Sequence, residues 1–385
     1  MQDCGSAKSE TIRRHRGTKY FLTPTSYGTQ ITKEGQRVGA VSIKSQNEGE
    51  ITIKDIARLC GVGVSTVSRA INNHPDINAE TKKKVMETIQ EHGYIPNNSA
   101  RNLRRADGKC IAVVVKGISN PLFADAIEIM EEEIKRNKFS MVVRYVNFNE
   151  NEIEAALELA KEKKLAGVIF LGGYFVKREK ALQKLRIPCV LSTSGCDGDA
   201  YSTLSVDDEK EGYRMTDYLI RLGHRKIAVL SGMPDDASIG LLRLEGYKRA
   251  LREHGIEEDE DLILHMRADV RFYSMENGYQ MTKELLGSGK EFSCIFAFSD
   301  AMAVGACRAI TDSGGRVPED YSVAGFDGIE LGNYYDPKLT TMKQPIRDIA
   351  RESVNVLFDI LNERYRHVHR VFPGELLERE STKKI

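Results

Sequence analysis

ITIKDIARLCGVGVSTVSRAINNHPDINAETKKKVMETIQEHGYIPNNSARNLRR, residues 51–105, decides how this chain is read. Thr52 opens a helix expected from Ile53 to about Cys60, and Asp55, three positions on, completes a capping box at the positive helix start. Gly61, Val62 and Gly63 then break it. A second helix is expected from Val64 to about Asn72, with Val67, Ala70 and Ile71 turned inward and Ser65, Thr66, Ser68 and Arg69 left outside. This is a helix-turn-helix pattern, and the exposed polar start of its second helix suits the major groove of DNA. Asn78 caps a third helix that carries Lys82, Lys83, Lys84, Val85 and Ile89 and stops at Gly93. Beyond Tyr94, Ile95, Pro96 and Asn97 comes a short basic segment with Arg101, Arg104, Arg105 and one leucine, Leu103, but no amphipathic face to bury.

Taken alone, two short helices around a glycine turn describe an ordinary helical hairpin. The basic material that follows tips the balance towards nucleic acid. Formal net charge is zero, with 56 basic and 56 acidic residues, but residues 51–109 hold 10 basic and 6 acidic groups, a net of +4. The seven cysteines, Cys4, Cys60, Cys110, Cys189, Cys196, Cys294 and Cys307, form no metal or disulfide pattern, so reduced thiols are expected. No stretch approaches the roughly 18–20 apolar residues of a membrane span, and no signal-peptide core opens the chain. A cytoplasmic protein is the expectation.

From Gly108 onward, short apolar runs (Ile111 to Val115, Gly167 to Leu171, Lys226 to Leu230, Tyr321 to Phe326) alternate with amphipathic helical stretches. That alternation predicts an α/β fold with parallel sheets covered by helices on both faces. At 385 residues a single core is too large, and two α/β subdomains behind a small all-α head fit better. The strings IKDIARLCGV, STVSRAIN, TKKKV and GYIPNNSARNLR, followed by SNPLF, AGVIFLG, LIRLGHRKIAVLSG, RLEGYKRAL, FSDAMAVGA, AGFDGIEL and LTTMKQP, resemble those of the lactose-repressor (LacI/GalR) family of bacterial transcription regulators. The likeness runs from about Ile51 to Glu380.

The resemblance implies four regions: an extension over 1–49 without a family counterpart, a helix-turn-helix head over 50–96, a hinge helix and linker over 97–107, and a two-lobed, periplasmic-binding-protein-like sensor over 108–385. The chain should cross between lobes near Val206, Gln344 and Glu363, giving one lobe about 110–206 with 345–363 and the other about 207–344 with 364–380. The extension is polar and lacks periodicity, so it reads as disordered, either a basic arm or, the preferred reading, sequence upstream of a true start near Val38 or Val41.

Carried over residue by residue, the resemblance places Val64 and Ser65 on operator bases with Arg69 one turn later. Thr52, Thr66, Ser68, Asn72, Asn78 and Thr81 become backbone contacts, and Leu103 a minor-groove wedge flanked by Ala100 and Arg101. Gly63 stands where serine is common. In the sensor, Arg243 is the implied effector clamp and Asp327 the carboxylate that accepts ligand hydroxyls. Ser299 replaces the usual asparagine, Thr193 a frequent aspartate, Tyr273 offers a stacking ring, and Leu122 with Phe123 forms the opposite wall. Asp300 is read as the cap of a helix beginning at Ala301 rather than as a ligand contact.

The function this implies is a ligand-responsive repressor: a homodimer on a pseudo-palindromic operator in double-stranded DNA, released by a sugar or sugar phosphate. A periplasmic-type sugar-binding protein shares the sensor but needs a signal peptide and has no use for the head. An enzyme is disfavoured, since no GxSxG occurs, Gly287 to Lys290 does not complete a phosphate loop, and His367 with His369 has no third ligand nearby. Neither cofactor nor metal is expected.

Overall fold

The computed structural model describes residues 51–71, 74–94, 109–196, 198–233, 239–364 and 367–385. The hinge segment, Asn72, Ala100, Arg101 and Leu103, and the extension before residue 51 lie outside the described residues. Two compact units divide the chain, one ahead of residue 97 and a larger one behind it.

In the head, α1 (Ile53–Cys60), α2 (Val64–Ile71) and α3 (Ala79–Glu91) enclose a small core of Ile56, Ala57, Cys60, Val67, Ala70, Val85 and Tyr94. Local chemistry sets the boundaries. The Thr52 amide and hydroxyl both donate to the Asp55 carboxylate, at 3.0 and 2.6 Å. Gly61 ends α1 in a left-handed conformation, φ +66°, which glycine adopts without the cost of a Cβ. Asn78 Oδ1 accepts the Glu80 and Thr81 amides and caps α3.

The larger unit holds two six-stranded sheets. The first contains β1 (Cys110–Lys116), β2 (Ser140–Val146), β3 (Gly167–Leu171), β4 (Cys189–Ser192), β5 (Ser202–Val206) and β11 (His369–Phe372), in the order 11-5-4-3-1-2 and parallel throughout. The second contains β6 (Ile227–Ser231), β7 (Ile263–His265), β8 (Cys294–Ala297), β9 (Ser322–Asp327), β10 (Thr340–Lys343) and β12 (Glu375–Leu377), in the order 12-10-9-8-6-7, with only β12 antiparallel. Parallel pairing requires long crossovers, supplied in the first lobe by α4 (Leu122–Arg136), α5 (Glu152–Glu162) and the short α6 (Glu179–Leu182). After α7 (Asp208–Arg221) has led from β5 of the first sheet to β6 of the second, they are α8 (Ile239–Glu253), α9 (Met275–Gly287), α10 (Asp300–Asp312) and the short α11 (Leu331–Tyr334) in the second lobe. Helix α12 (Ile346–Leu361) returns to the first lobe, where the Ser353 and Ser192 hydroxyls are hydrogen-bonded at 3.0 Å. Strands β3, β6, β8 and β9 are buried along their whole length, which is why they read as continuous apolar runs.

One boundary differs from expectation. Residues 369–372 add to the first sheet, with His369 beside Thr203 and Phe372 beside Val206, whereas the resemblance implies that 364–380 belong to the second lobe. The sheet-to-sheet passage there falls between Phe372 and Glu375, not near Glu363. An edge strand needs only one neighbour, and β11 is largely exposed, so no buried pattern marked its membership.

Candidate functional site

In the head, Val64, Ser65 and Arg69 are exposed on α2, with Thr66 and Ser68 half-buried beside them. Val67 and Ala70 are buried on the opposite side of the same helix, so the expected split between a packing face and a presenting face is present. Thr52 and Asn78 are exposed and Thr81 half-buried at the starts of α1 and α3, yet the Asn78 carboxamide oxygen is already engaged as a helix cap. At Gly63 a Cβ would meet Ser65 Oγ at 3.5 Å, ordinary contact, so the position is open to the serine whose place it takes.

In the larger unit a cavity of about 260 Å³ opens at the carboxyl ends of both sheets, the place where parallel α/β sheets bind ligands. Lys116 ends β1, Gly172 follows β3, Thr193 follows β4, Asp327 ends β9 and Gln344 follows β10. Six of the seven sequence-predicted effector residues line it: Leu122, Phe123, Thr193, Arg243, Tyr273 and Asp327. The seventh, Ser299, is fully buried, and its hydroxyl accepts the Met302 amide as the N-cap of α10. Asp300 is therefore not the cap. Ser299 has the extended backbone a cap requires (φ −151°, ψ 154°) and Asp300 is already helical. Asp300 instead accepts the Thr341 hydroxyl and the Gly328 and Ile329 amides, at 2.5, 2.8 and 2.8 Å, and so holds the turn that follows Asp327.

Arg243 is more constrained than an open clamp. Its Nε and Nη2 both lie 2.8 Å from Asp208 Oδ1, its Nη1 donates to the Phe298 carbonyl at 2.5 Å, and its guanidinium stacks 3.6 Å from the Phe326 ring centre. Burial pushes the Asp208 carboxyl up to about 6, against the pull of the Arg243 charge. Asp327 is buried and takes Asn120 Nδ2 on one oxygen and Gln344 Nε2 on the other, both at 2.8 Å. The Asn120 amide cannot turn freely, because its Oδ1 accepts the Leu122 amide at 3.0 Å. Burial raises Asp327 to about 7, Arg243 lowers it, and the neighbouring carboxylate of Asp300 adds to the rise.

The Asn120–Asp327 bond joins the two lobes. The Ser119 hydroxyl joins them again, donating to the Phe272 carbonyl at 2.6 Å, and the rings of Phe148 and Phe272 meet with centres 4.0 Å apart. Backbone strain gathers here as well. Thr193 (φ +64°), Tyr273 (φ +49°) and Asp327 (φ +129°) hold conformations that suit glycine, a cost tolerated mainly at functional sites. At Gly172, φ +77°, a Cβ would come within 2.5 Å of the Lys116 carbonyl oxygen and 3.1 Å of the Phe123 ring.

Sequence reasoning missed part of this wall. Lys116, Asn120, Phe148, Glu152, Tyr174, Arg178 and Gln344 line the cavity unpredicted, and Asp208 supports it from behind Arg243. Asn120 and Gln344 lay within the strings SNPLF and MKQP that carried the resemblance, so a signal for them existed.

The head matches the family model "Bacterial regulatory proteins, lacI family" over residues 52–97, and residues 216–382 match a periplasmic binding protein-like domain. The transcriptional regulator MalR of Clostridium butyricum is 40% identical over 337 residues, spanning 86% of this chain and 99% of that protein. This chain belongs to the lacI family of bacterial regulatory proteins. Among solved structures, the regulator CelR in complex with cellobiose is 29% identical, with a TM-score of 0.62 over 86% of this chain and 99% of that one. A lac repressor dimer bound to operator and an anti-inducer is 26% identical, with a TM-score of 0.67 over 87% and 100%. Among the described residues, no helix is long and apolar enough to cross a membrane.

Proposed function

We propose that this family member is a homodimeric repressor that holds two heads on a pseudo-palindromic operator and leaves it when a sugar or sugar-derived effector enters the sensor cavity. The observation that carries the reading is the Asn120–Asp327 bond, made between lobes at the cavity itself. A ligand that meets Asp327 competes with or reinforces an interlobe bond, and so gains the differential affinity for two lobe arrangements that any ligand-driven change requires. Relatives support the rest: one solved neighbour is a dimer bound to its operator, another a cellobiose complex.

In the head, Val64, Ser65 and Arg69 read bases, while Thr52, Thr66, Ser68, Asn72, Asn78 and Thr81 set register on the DNA backbone. Residues 97–107 form the hinge, with Ala100, Arg101 and Leu103 in the minor groove. Leu122, Phe123, Thr193, Arg243, Tyr273 and Asp327 meet the effector. The test is operator binding by the full chain, followed by fluorescence anisotropy across a panel of sugars. Release by one of them is expected. Tighter binding in its presence would make the effector a co-repressor, and the absence of any response to a sugar that demonstrably binds the protein would sink the proposal.

A further inference from the structure

The cavity carries a second polar cluster, away from Arg243 and Asp327, that the family resemblance did not supply. Glu152, at the start of α5, is buried, and its two oxygens hold two cations: Lys116 Nζ at 3.1 Å and Arg178 Nη1 at 2.7 Å. Each cation is fixed from a further side. Lys116 donates to the Glu150 carbonyl at 3.1 Å, and Arg178 to Asn151 Oδ1 at 2.9 Å and the Tyr174 carbonyl at 3.3 Å. An ammonium has three N–H groups and a guanidinium five, so these bonds leave donor capacity on both side chains at the cavity wall. Lys116, Glu152 and Arg178 all line it, together with the rings of Phe148 and Tyr174.

Each cation at the wall already has a carboxylate partner. Lys116 and Arg178 share Glu152, Arg243 is paired with Asp208, and Asp327 lines the cavity with Asp300 close behind it. Among the described residues, three cations, Lys116, Arg178 and Arg243, and two carboxylates, Glu152 and Asp327, thus line the cavity, with Asp208 and Asp300 held behind them. A phosphate group drawn to the spare donors of Lys116 or Arg178 would also be brought against the buried Glu152 carboxylate that holds both cations, and like charge there opposes it. A hydroxyl both donates and accepts, and suits a wall in which carboxylate and cation alternate.

We propose that Lys116, Glu152 and Arg178 form a hydroxyl-reading subsite that restricts the effector to uncharged saccharides and excludes their phosphorylated counterparts. This rests on the sugar-effector reading above and narrows it.

Matched pairs test it on the full chain by titration calorimetry: cellobiose and its 6′-phosphate, maltose and its 6′-phosphate, ribose and its 5-phosphate. The uncharged member of the binding pair is expected to win by about tenfold or more, the scale of one charged hydrogen bond lost. Glu152→Gln removes the carboxylate, so it should weaken the uncharged sugar and narrow its advantage over the phosphorylated one. Arg178→Gln, at a partly exposed side chain, should weaken both and widen the advantage, which keeps the test open if the buried Glu152 substitution unfolds the protein. A phosphorylated sugar that binds as well as its parent, or a ratio that neither substitution moves, would overturn the subsite while leaving a sugar-responsive repressor intact. Binding by no pair member would overturn the sugar reading itself, and this one with it.

Discussion

Arg243 shows how one residue can be both part of a site and part of the frame. Its guanidinium is buried against Asp208, the Phe298 carbonyl and the Phe326 ring, so Arg243→Ala removes more than a ligand contact: it strands a buried carboxylate. Breaking one side of such a pair costs about 3–5 kcal/mol. Urea unfolding of the full chain should show a loss of that order, partly recovered when Asp208→Asn is added; a loss under about 1 kcal/mol, the scale of an exposed pair, would contradict the buried role. Asp327 makes a different prediction. Burial lifts it from 3.8 to about 7, so the native state holds this proton more tightly than the unfolded chain. Its contribution is therefore complete below 3.8 and is lost as pH rises towards 7. Asp208 and Asp300, both raised to about 6, act in the same direction but finish earlier. Asp327→Asn, which carries no titrating proton, should flatten the decline in unfolding free energy between about 6 and 7. An unchanged slope in that window would mean that Asp327 titrates elsewhere.

At the scale of elements, the second lobe is built on two helix pairs that touch through glycine. Gly246 of α8 lies on the backbone of Glu209 and Tyr213 in α7, and Gly305 of α10 on that of Met275 and Tyr279 in α9. A Cβ at Gly305 would overlap the Met275 carbonyl, which belongs to a rigid backbone and cannot swing aside as a side chain would. Gly305→Ala should therefore destabilise by at least the roughly 1–3 kcal/mol typical of overpacking, despite alanine's better helix propensity; a stabilised variant in thermal unfolding would mean that the helices can part. Such packing helps explain what sequence could and could not disclose. The helix boundaries of the head were legible because Thr52, Asp55, Gly61 and Asn78 act within a few residues of themselves. Arg243 and Asp327 were legible through the strings around them. Glu152 and Asp208 were not, since their partners Lys116 and Arg243 stand 36 and 35 positions away, and neither carboxylate differs locally from those on a solvated helix start. Ser299 took the capping role expected of Asp300 for a similar reason: both can cap, and Asp300 is engaged instead by distant Thr341 and the Gly328 turn.

For the whole molecule, function rests on a free energy shared between the head and the sensor. Whatever factor the effector imposes on operator affinity, the operator must impose on effector affinity, because the two paths around the binding cycle reach the same state. Typical couplings are about 1–3 kcal/mol, or roughly 5–150-fold. The interlobe contacts give this coupling a place to originate: Ser119 with the Phe272 carbonyl, Asn120 with Asp327 and Phe148 with Phe272. Ser119→Ala deletes one bridge without touching a residue that lines the cavity, so its main effect should be on the balance between lobe arrangements rather than on ligand contact. Two titrations on the full chain then form the test, operator affinity with and without saturating sugar, and sugar affinity with and without operator. In the wild type the two ratios should agree within error. In Ser119→Ala they should still agree with each other, yet both should differ from the wild-type factor. Ratios that stay at the wild-type value would remove the Ser119 bridge from the coupling, and wild-type ratios that disagree would mean that head and sensor are not joined by a single reversible cycle.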